Sequence, residues 1–162
     1  MTQNYDLIVI GEGISGLTCA GHAARAGLRV ATFESTLFGG LVINVNELDG
    51  YSEGDHRSGT DLASALMQSN SHAGKKSVQE NVSAVRAAGG GLEVASDSGR
   101  YEARRVVIAS GARLRKLGVP GEAEFEGRGV SSCADCDGPM YQNEDVIVVG
   151  GGDSALQEAL VL

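Results

Sequence analysis

Cys133 and Cys136 stand three residues apart in Cys133-Ala134-Asp135-Cys136, with Asp137 and Gly138 directly after them. Two thiols at this spacing can close a disulfide within one turn, and the thiolate is the reactive form. Zinc is a competing reading, yet a structural zinc site takes four ligands, and His22, His56, His72 and Cys19 show no ligand spacing. A buried, inert pair is the third reading. No metal ligand is assigned. Asp137 can hand a proton to a departing thiolate or take one from an attacking thiol, or else is a solvated turn residue. Cys19 falls among Ala20, Ala23 and Ala24, which reads as a packed core thiol.

Two glycine patterns flank the dithiol. Gly11-x-Gly13-x-x-Gly16 follows the apolar run Leu7-Ile8-Val9-Ile10 and opens a small-residue helix that includes Ile14 and Ser15. In that context Gly11 permits a tight turn, Gly13 lets the backbone approach a pyrophosphate, and Gly16 allows close packing of helix on strand. The helix N-terminus offers unpaired N–H groups and a positive dipole end to the phosphates. Glu34 ends the next apolar run 18 residues beyond Gly16, close to the spacing expected for an acid that binds ribose hydroxyls. Gly150-x-Gly152-x-x-Ala155 repeats the logic after Val146-Ile147-Val148-Val149, with alanine in the packing position. A purely structural turn is the alternative at both places.

These residues need elements to position them. Tyr5–Ile10 reads as a buried strand, the helix runs to about Ala26 with Gly27 as its stop, and Leu28–Glu34 reads as a second strand. Together they form a βαβ unit with a parallel sheet. From Leu37 to about Gly59 the periodicity is lost, which predicts a long functional loop. A helix resumes near Thr60, with Ser58 or Thr60 as cap and Leu62, Leu66 and Met67 on one face. Asn81–Ala87, Leu92–Ser96 and Arg100–Ile108 predict an antiparallel meander, with turns at Gly89-Gly90-Gly91 and Asp97-Ser98-Gly99. Gly118-Val119-Pro120-Gly121 is the best linker, and Glu122, Glu124 and Glu126 read as its exposed face. Asp145–Val149 predicts the first strand of a second unit and Leu156–Leu162 its helix.

The fold class is therefore α/β: a Rossmann-like dinucleotide-binding βαβ with an inserted antiparallel β-meander, followed by the start of a second Rossmann-like domain. The expected domains are 1–117 and 118–162. A strand and one helix cannot bury their apolar faces without sheet neighbours, so the chain reads as the front portion of something larger.

Composition closes off other classes. The chain has 162 residues and a net charge of −8, which disfavours a nucleic-acid footprint of clustered Lys and Arg. Its apolar runs are strand-length, far short of the ~18 residues of a membrane span. No signal-peptide pattern precedes Leu7. Three cysteines are too few for a secreted disulfide framework, so a cytoplasmic protein is expected. The 24 glycines compare with about 11 at average usage.

A dinucleotide motif, a dithiol and a second dinucleotide motif, in that order, is the layout of a flavin relay. Here the chain resembles the low-molecular-weight thioredoxin reductases over essentially its whole length. The resemblance rests on Gly11–Leu17, Gly39-Gly40, Val107–Ala112, Leu117–Glu122, Gly127–Gly138 and Gly150–Ala155. It implies the N-terminal half of an FAD-dependent disulfide reductase that passes electrons from NADPH, or NADH, through FAD to Cys133/Cys136 and on to a thioredoxin-like protein or a small disulfide. Gly11, Gly13, Ile14, Ser15, Gly16, Glu34, Gly39, Gly40, Leu41, Asn46, the backbone at Val82, Ser110, Gly111 and Ala112 would hold FAD. Cys136 would face the flavin, Cys133 the partner disulfide, and Asp137 would be the acid/base. Gly150, Gly151, Gly152, Asp153, Ser154, Ala155 and Glu158 would contact the nicotinamide nucleotide.

Three departures from the family pattern stand out. Leu41 replaces a glutamine, Ser52-Glu53 replaces Pro-Gly near Tyr51, and Ala109-Ser110-Gly111 lacks the usual threonine. The full-length form would be a homodimer, and either a second chain supplies the missing C-terminal half or the chain is a truncated product. Alone, the chain is expected to hold flavin weakly and not to turn over. A dithiol oxidase of a small-molecule disulfide, and a non-catalytic fragment that binds FAD or a partner chain, are the other readings of the same features.

Overall fold

A computed structural model describes residues 3–48 and 58–162. Tyr51, Ser52, Glu53 and His56 lie outside the described residues. The chain forms two compact units, Met1–Ala112 and Arg113–Leu162; this division precedes the expected boundary at 117/118.

Among the described residues the first unit is one six-stranded sheet with two α-helices. In chain order it contains β1 (Gln3–Ile10), α1 (Ile14–Arg25), β2 (Val30–Phe33), a 3-10 turn (Gly40–Asn44), α2 (Gly59–His72), β3 (Lys76–Val78), β4 (Val82–Ala88), β5 (Gly91–Ser96) and β6 (Arg100–Ile108). The strand order is β3-β2-β1-β6-β5-β4. β1 runs parallel to both β2 and β6, and the meander β4-β5-β6 is antiparallel. Central parallel strands are covered on both faces and so read as continuous apolar runs. Accordingly Leu7, Ile8 and Val9 of β1 and all of β2 are buried.

Register decides where the site lies. Ile10 pairs with Phe33 on one side and Ile108 on the other, and Phe33 pairs with Val78. The carboxyl ends of β1, β2 and β6 are therefore level, and the segments leaving them emerge together. That edge is where open α/β sheets take their ligands. One face of the sheet packs Ile8, Ala31, Phe33, Val78 and Tyr101 into a cluster, with the Phe33 and Tyr101 rings edge to face at 4.9 Å and 78°. On the other face Leu7, Val9 and Val30 pack with Ala20 and Ala24 of α1. Ser58 caps α2 by accepting the Asp61 N–H at 3.1 Å, and Asn70 Nδ2 ties α2 to the Leu17 carbonyl at 2.7 Å.

Two elements differ from the sequence expectation. β3 went unpredicted because Lys76-Ser77-Val78 is three residues long with one apolar side chain, too short for alternation to register. The 3-10 turn interrupts the expected loop at Gly40–Asn44.

The second unit contains α3 (Ala134–Asp137), a 3-10 turn (Gly138–Tyr141) and α4 (Asp153–Val161). Asp145–Val149, expected as a strand, is not one. A strand exists only where another backbone accepts its ladder bonds, and the six-stranded sheet contains no segment of this unit. Ile147 is 89% exposed. The acidic linker face is exposed at Glu124 and Glu126, as expected, and two of its carboxylates are engaged. Glu122 accepts the N–H groups of Leu117 and Gly118 at 2.9 and 2.7 Å, and Glu126 pairs with Lys116 at 2.7 Å.

Candidate functional site

In the first unit the site is built from three segments leaving level strand ends. Gly11 donates its N–H to the Phe33 carbonyl at 2.7 Å, and Ala109 donates to the Ile10 carbonyl at 2.8 Å, so the glycine loop and the Ser110-Gly111-Ala112 turn leave the sheet side by side. Gly11 has φ +102°, and a Cβ there would lie 2.2 Å from the Ala109 carbonyl oxygen. A Cβ at Gly16 would lie 2.0 Å from the Gly11 carbonyl oxygen. Both positions exclude any side chain, whereas a Cβ at Gly13 would find nothing nearer than 3.9 Å. The middle glycine thus leaves room beside its backbone.

Gly13 is the N-cap of α1 and supplies no side-chain acceptor, so the first N–H groups of the helix, at Ile14, Ser15 and Gly16, are left for an anion. Gly39 pairs with Gly13 as an isolated bridge and donates to the Glu12 carbonyl at 2.6 Å. Gly40 packs against Gly13 as well, since a Cβ on it would lie 3.2 Å from the Gly13 Cα. Glu34 Oε2 accepts the Glu12 N–H at 3.0 Å, and its Oε1 accepts the N–H and hydroxyl of Thr36, both at 3.1 Å. Each carboxylate oxygen has two lone pairs, so Oε2 retains one for a ligand hydroxyl. These residues fit a dinucleotide: open backbone and helix N–H groups for the diphosphate, a half-buried carboxylate for a ribose.

Beneath the loop lies a polar cluster that sequence reasoning missed. Glu12, the residue between the first two glycines, is 2% exposed. Its Oε1 accepts from Lys75 Nζ at 2.8 Å, from Ser77 Oγ at 2.6 Å and from the Thr32 hydroxyl. Burial pushes the Glu12 carboxyl up, but the bonds from Lys75, Ser77 and Thr32 and the Lys75 charge outweigh it and hold it below the usual carboxylate range. The pair is buried on both sides. Its signal in the sequence was faint: a charged residue between two glycines, and a lysine before a strand that was not predicted.

The remaining first-unit positions lie around this edge and beyond it. Leu41 belongs to the 3-10 turn and is exposed, and Asn46 follows that turn, also exposed. Val82 opens β4 and packs against the Ile8 and Phe33 cluster.

In the second unit, Cys133 and Cys136 form a disulfide with Cα atoms 5.3 Å apart. The turn between them is α3, whose N-cap is Cys133; its sulfur accepts the Cys136 N–H at 3.2 Å. Cys136 is exposed and Cys133 half-buried, so the pair is accessible rather than sealed in a core. Asp137 Oδ2 accepts the Ser131 hydroxyl at 2.6 Å. Ser131 Oγ also accepts the Cys133 N–H at 3.1 Å. Glu158, on α4, accepts the N–H of Ala134 with one carboxylate oxygen and so ties α4 to the cysteine turn. Gly152 is the N-cap of α4 without a side-chain acceptor. Gly151 and Gly152 have open space around them, and Gly150 packs on Ala155, where a Cβ would lie 2.7 Å from the Ala155 Cβ. Asp153 and Ser154 begin the helix, exposed.

Residues 5–162 match the family model described as pyridine nucleotide-disulphide oxidoreductase. The chain is 39% identical over 163 aligned residues to the thioredoxin reductase of Treponema pallidum, covering 100% of this chain and 53% of that protein. It is 40% identical over 161 residues to the thioredoxin reductase of Mycolicibacterium smegmatis, covering 98% of this chain and 51% of that one. The crystal structure of Lactococcus lactis thioredoxin reductase in its FR conformation matches with a TM-score of 0.83 at 33% identity, over 96% of this chain and 52% of that one. The chain spans about half the length of the curated relatives it matches.

Proposed function

The chain belongs to the pyridine nucleotide-disulphide oxidoreductase family, and from that premise we propose that it is the N-terminal half of an FAD-dependent disulfide reductase. In this reading electrons pass from NADPH, with NADH the other option, through FAD to Cys133/Cys136 and on to a thioredoxin-like protein. The observation that carries it is the accessible Cys133–Cys136 disulfide in a chain that also holds a glycine loop at level strand ends.

FAD, when bound, supplies the two-electron chemistry that connects a hydride donor to a disulfide. The chain's own residues bind and orient. The N–H groups of Ile14, Ser15 and Gly16 take the diphosphate, and the open backbone at Gly13 lets it approach. Glu34 takes ribose hydroxyls with the free lone pair of Oε2. Gly39, Gly40, Leu41, Asn46, Val82, Ser110, Gly111 and Ala112 complete the FAD contacts. Gly150, Gly151, Gly152, Asp153, Ser154, Ala155 and Glu158 serve the nicotinamide nucleotide. Cys136 accepts the electron pair, Cys133 meets the partner disulfide, and Asp137 moves the accompanying proton. The setting is cytoplasmic, where a cysteine pair cycles between states instead of remaining oxidised, and the full-length protein is a homodimer as the resemblance implies.

Anaerobic photoreduction of the FAD-loaded chain, followed by alkylation and mass spectrometry, tests the electron path. Two new alkylated thiols at Cys133 and Cys136, gained as the flavin bleaches, are expected. A bleached flavin beside an intact disulfide contradicts the proposal.

A further inference from the structure

Ser131 was singled out by neither motif nor spacing, yet its hydroxyl joins both ends of the cysteine turn. Its Oγ lies 2.6 Å from Asp137 Oδ2, 3.1 Å from the Cys133 N and 3.3 Å from the Cys133 carbonyl oxygen. A serine hydroxyl has one proton to donate and two lone pairs to accept with. One lone pair takes the Cys133 N–H. The proton has two acceptors within reach, and 2.6 against 3.3 Å assigns it to the Asp137 carboxylate, as expected for an ionised acceptor.

The same three distances describe a second state. When Asp137 is protonated its own O–H donates to Ser131 Oγ, using the remaining lone pair. The serine proton then rotates to the Cys133 carbonyl. Both protonation states of Asp137 are hydrogen-bonded by one rotating hydroxyl, and neither requires the backbone to move.

We propose that Ser131 is a positioning residue that holds Asp137 beside the Cys133–Cys136 turn in both its protonated and its ionised form, so that this carboxyl can supply a proton to a departing cysteine sulfur and recover it. The proposal rests on the disulfide reading above. Asp135 on the same turn, Glu158 from α4 and Tyr141 from the following 3-10 turn are the other titratable groups on the elements packed around it. Glu158 is engaged by the Ala134 N–H.

Reduction by dithiothreitol isolates the step without flavin or nicotinamide, so its outcome is independent of whether the chain binds either. One dithiothreitol thiolate attacks Cys133 Sγ, forming a mixed disulfide and breaking the Cys133–Cys136 bond. The released Cys136 sulfur takes the proton from Asp137, which regains one from solvent. The second dithiothreitol thiol, giving up its proton to solvent, closes the reagent's own disulfide and releases Cys133, which is protonated in turn. Two electrons and, in net terms, two protons pass to the protein.

The measurement is the rate of disulfide reduction in the full chain, divided by the dithiothreitol thiolate concentration, from pH 5.5 to 8.5. In the wild type this normalised rate rises as pH falls, as general-acid assistance to the departing sulfur requires. Ser131→Ala lowers the rate about tenfold at the acid end and leaves the alkaline end unchanged. Asp137→Asn also removes the rise, the double variant loses nothing further of it, and Ser131→Thr restores the rise to within about twofold. Asp135→Asn keeps the rise. A loss in Ser131→Ala that is equal at all pH values, or that multiplies with the Asp137→Asn loss, makes Ser131 a merely structural residue and overturns the proposal. So does a Ser131→Ala profile identical to wild type.

Discussion

The two glycine motifs of this chain have nearly the same local grammar and opposite structural outcomes. β1 precedes Gly11 and lies between β2 and β6, with Ile8 and Val9 fully buried. Asp145–Val149 precedes Gly150 with an equally apolar run, yet it forms no strand and leaves Ile147 89% exposed. Among the described residues, Ala134 is the one buried hydrophobic of the second unit, and the buried polar residues Glu12, Thr32, Asn70 and Lys75 all lie in the first. Burying an Ile or Val side chain is worth roughly 1.5–3 kcal/mol, and that gain exists only where a neighbouring strand and helix provide the cover. An apolar run states what a segment would bury; its neighbours decide whether it does.

Breaking the ion pair under the first motif gives the largest expected effect. Lys75→Met leaves the Glu12 carboxylate buried and unpaired, a loss of about 3–5 kcal/mol. Urea unfolding followed by hydrogen exchange should show β1 and β6 amides losing protection while α4 is unchanged. Equal losses in both units would remove the distinction between them. A matched pair of truncations sharpens it: Ile8→Ala costs about 2–5 kcal/mol, whereas Ile147→Ala stays within about 0.5 kcal/mol. Urea midpoints of the two variants give the comparison directly.

The smallest effect is the pH dependence that Glu12 gives the first unit. Glu12 is held below its ordinary value when folded. Its contribution is therefore complete above the unfolded carboxylate range and is lost as pH falls through the lower, folded value. The urea midpoint of the first unit should decline on acidification through that range. The double variant Glu12→Gln/Lys75→Met should flatten that decline, and a decline of unchanged slope would assign it to other carboxylates.

The sequence was most legible where a pattern and its partner were both local. β6 spans Arg100–Ile108 as its alternation predicts, the meander turns fall at the glycines and at Asp97-Ser98-Gly99, and Ser58 caps α2. Gly11 and Gly16 are where the motif requires them, because their constraint is the chain's contact with itself. What escaped was non-local. β3 is recognisable only by its pairing with β2, and the Glu12–Lys75 pair joins residues 63 apart. Ser131 is one serine among many until the fold puts its oxygen against Asp137. Asp145–Val149 failed in the opposite sense: its composition is that of a strand, and among the described residues no strand pairs with it.

Whether the first motif is a working dinucleotide site is tested most directly by titrating the purified chain into FAD and following flavin fluorescence, in parallel with Glu34→Gln. The account predicts saturable one-to-one binding to the wild-type chain. Replacing the charged acceptor with a neutral one should weaken it about tenfold or more, the worth of a hydrogen bond to an ionised group. No saturable binding, or equal binding by both proteins, would contradict the assignment of Gly11–Gly16 and Glu34 to FAD.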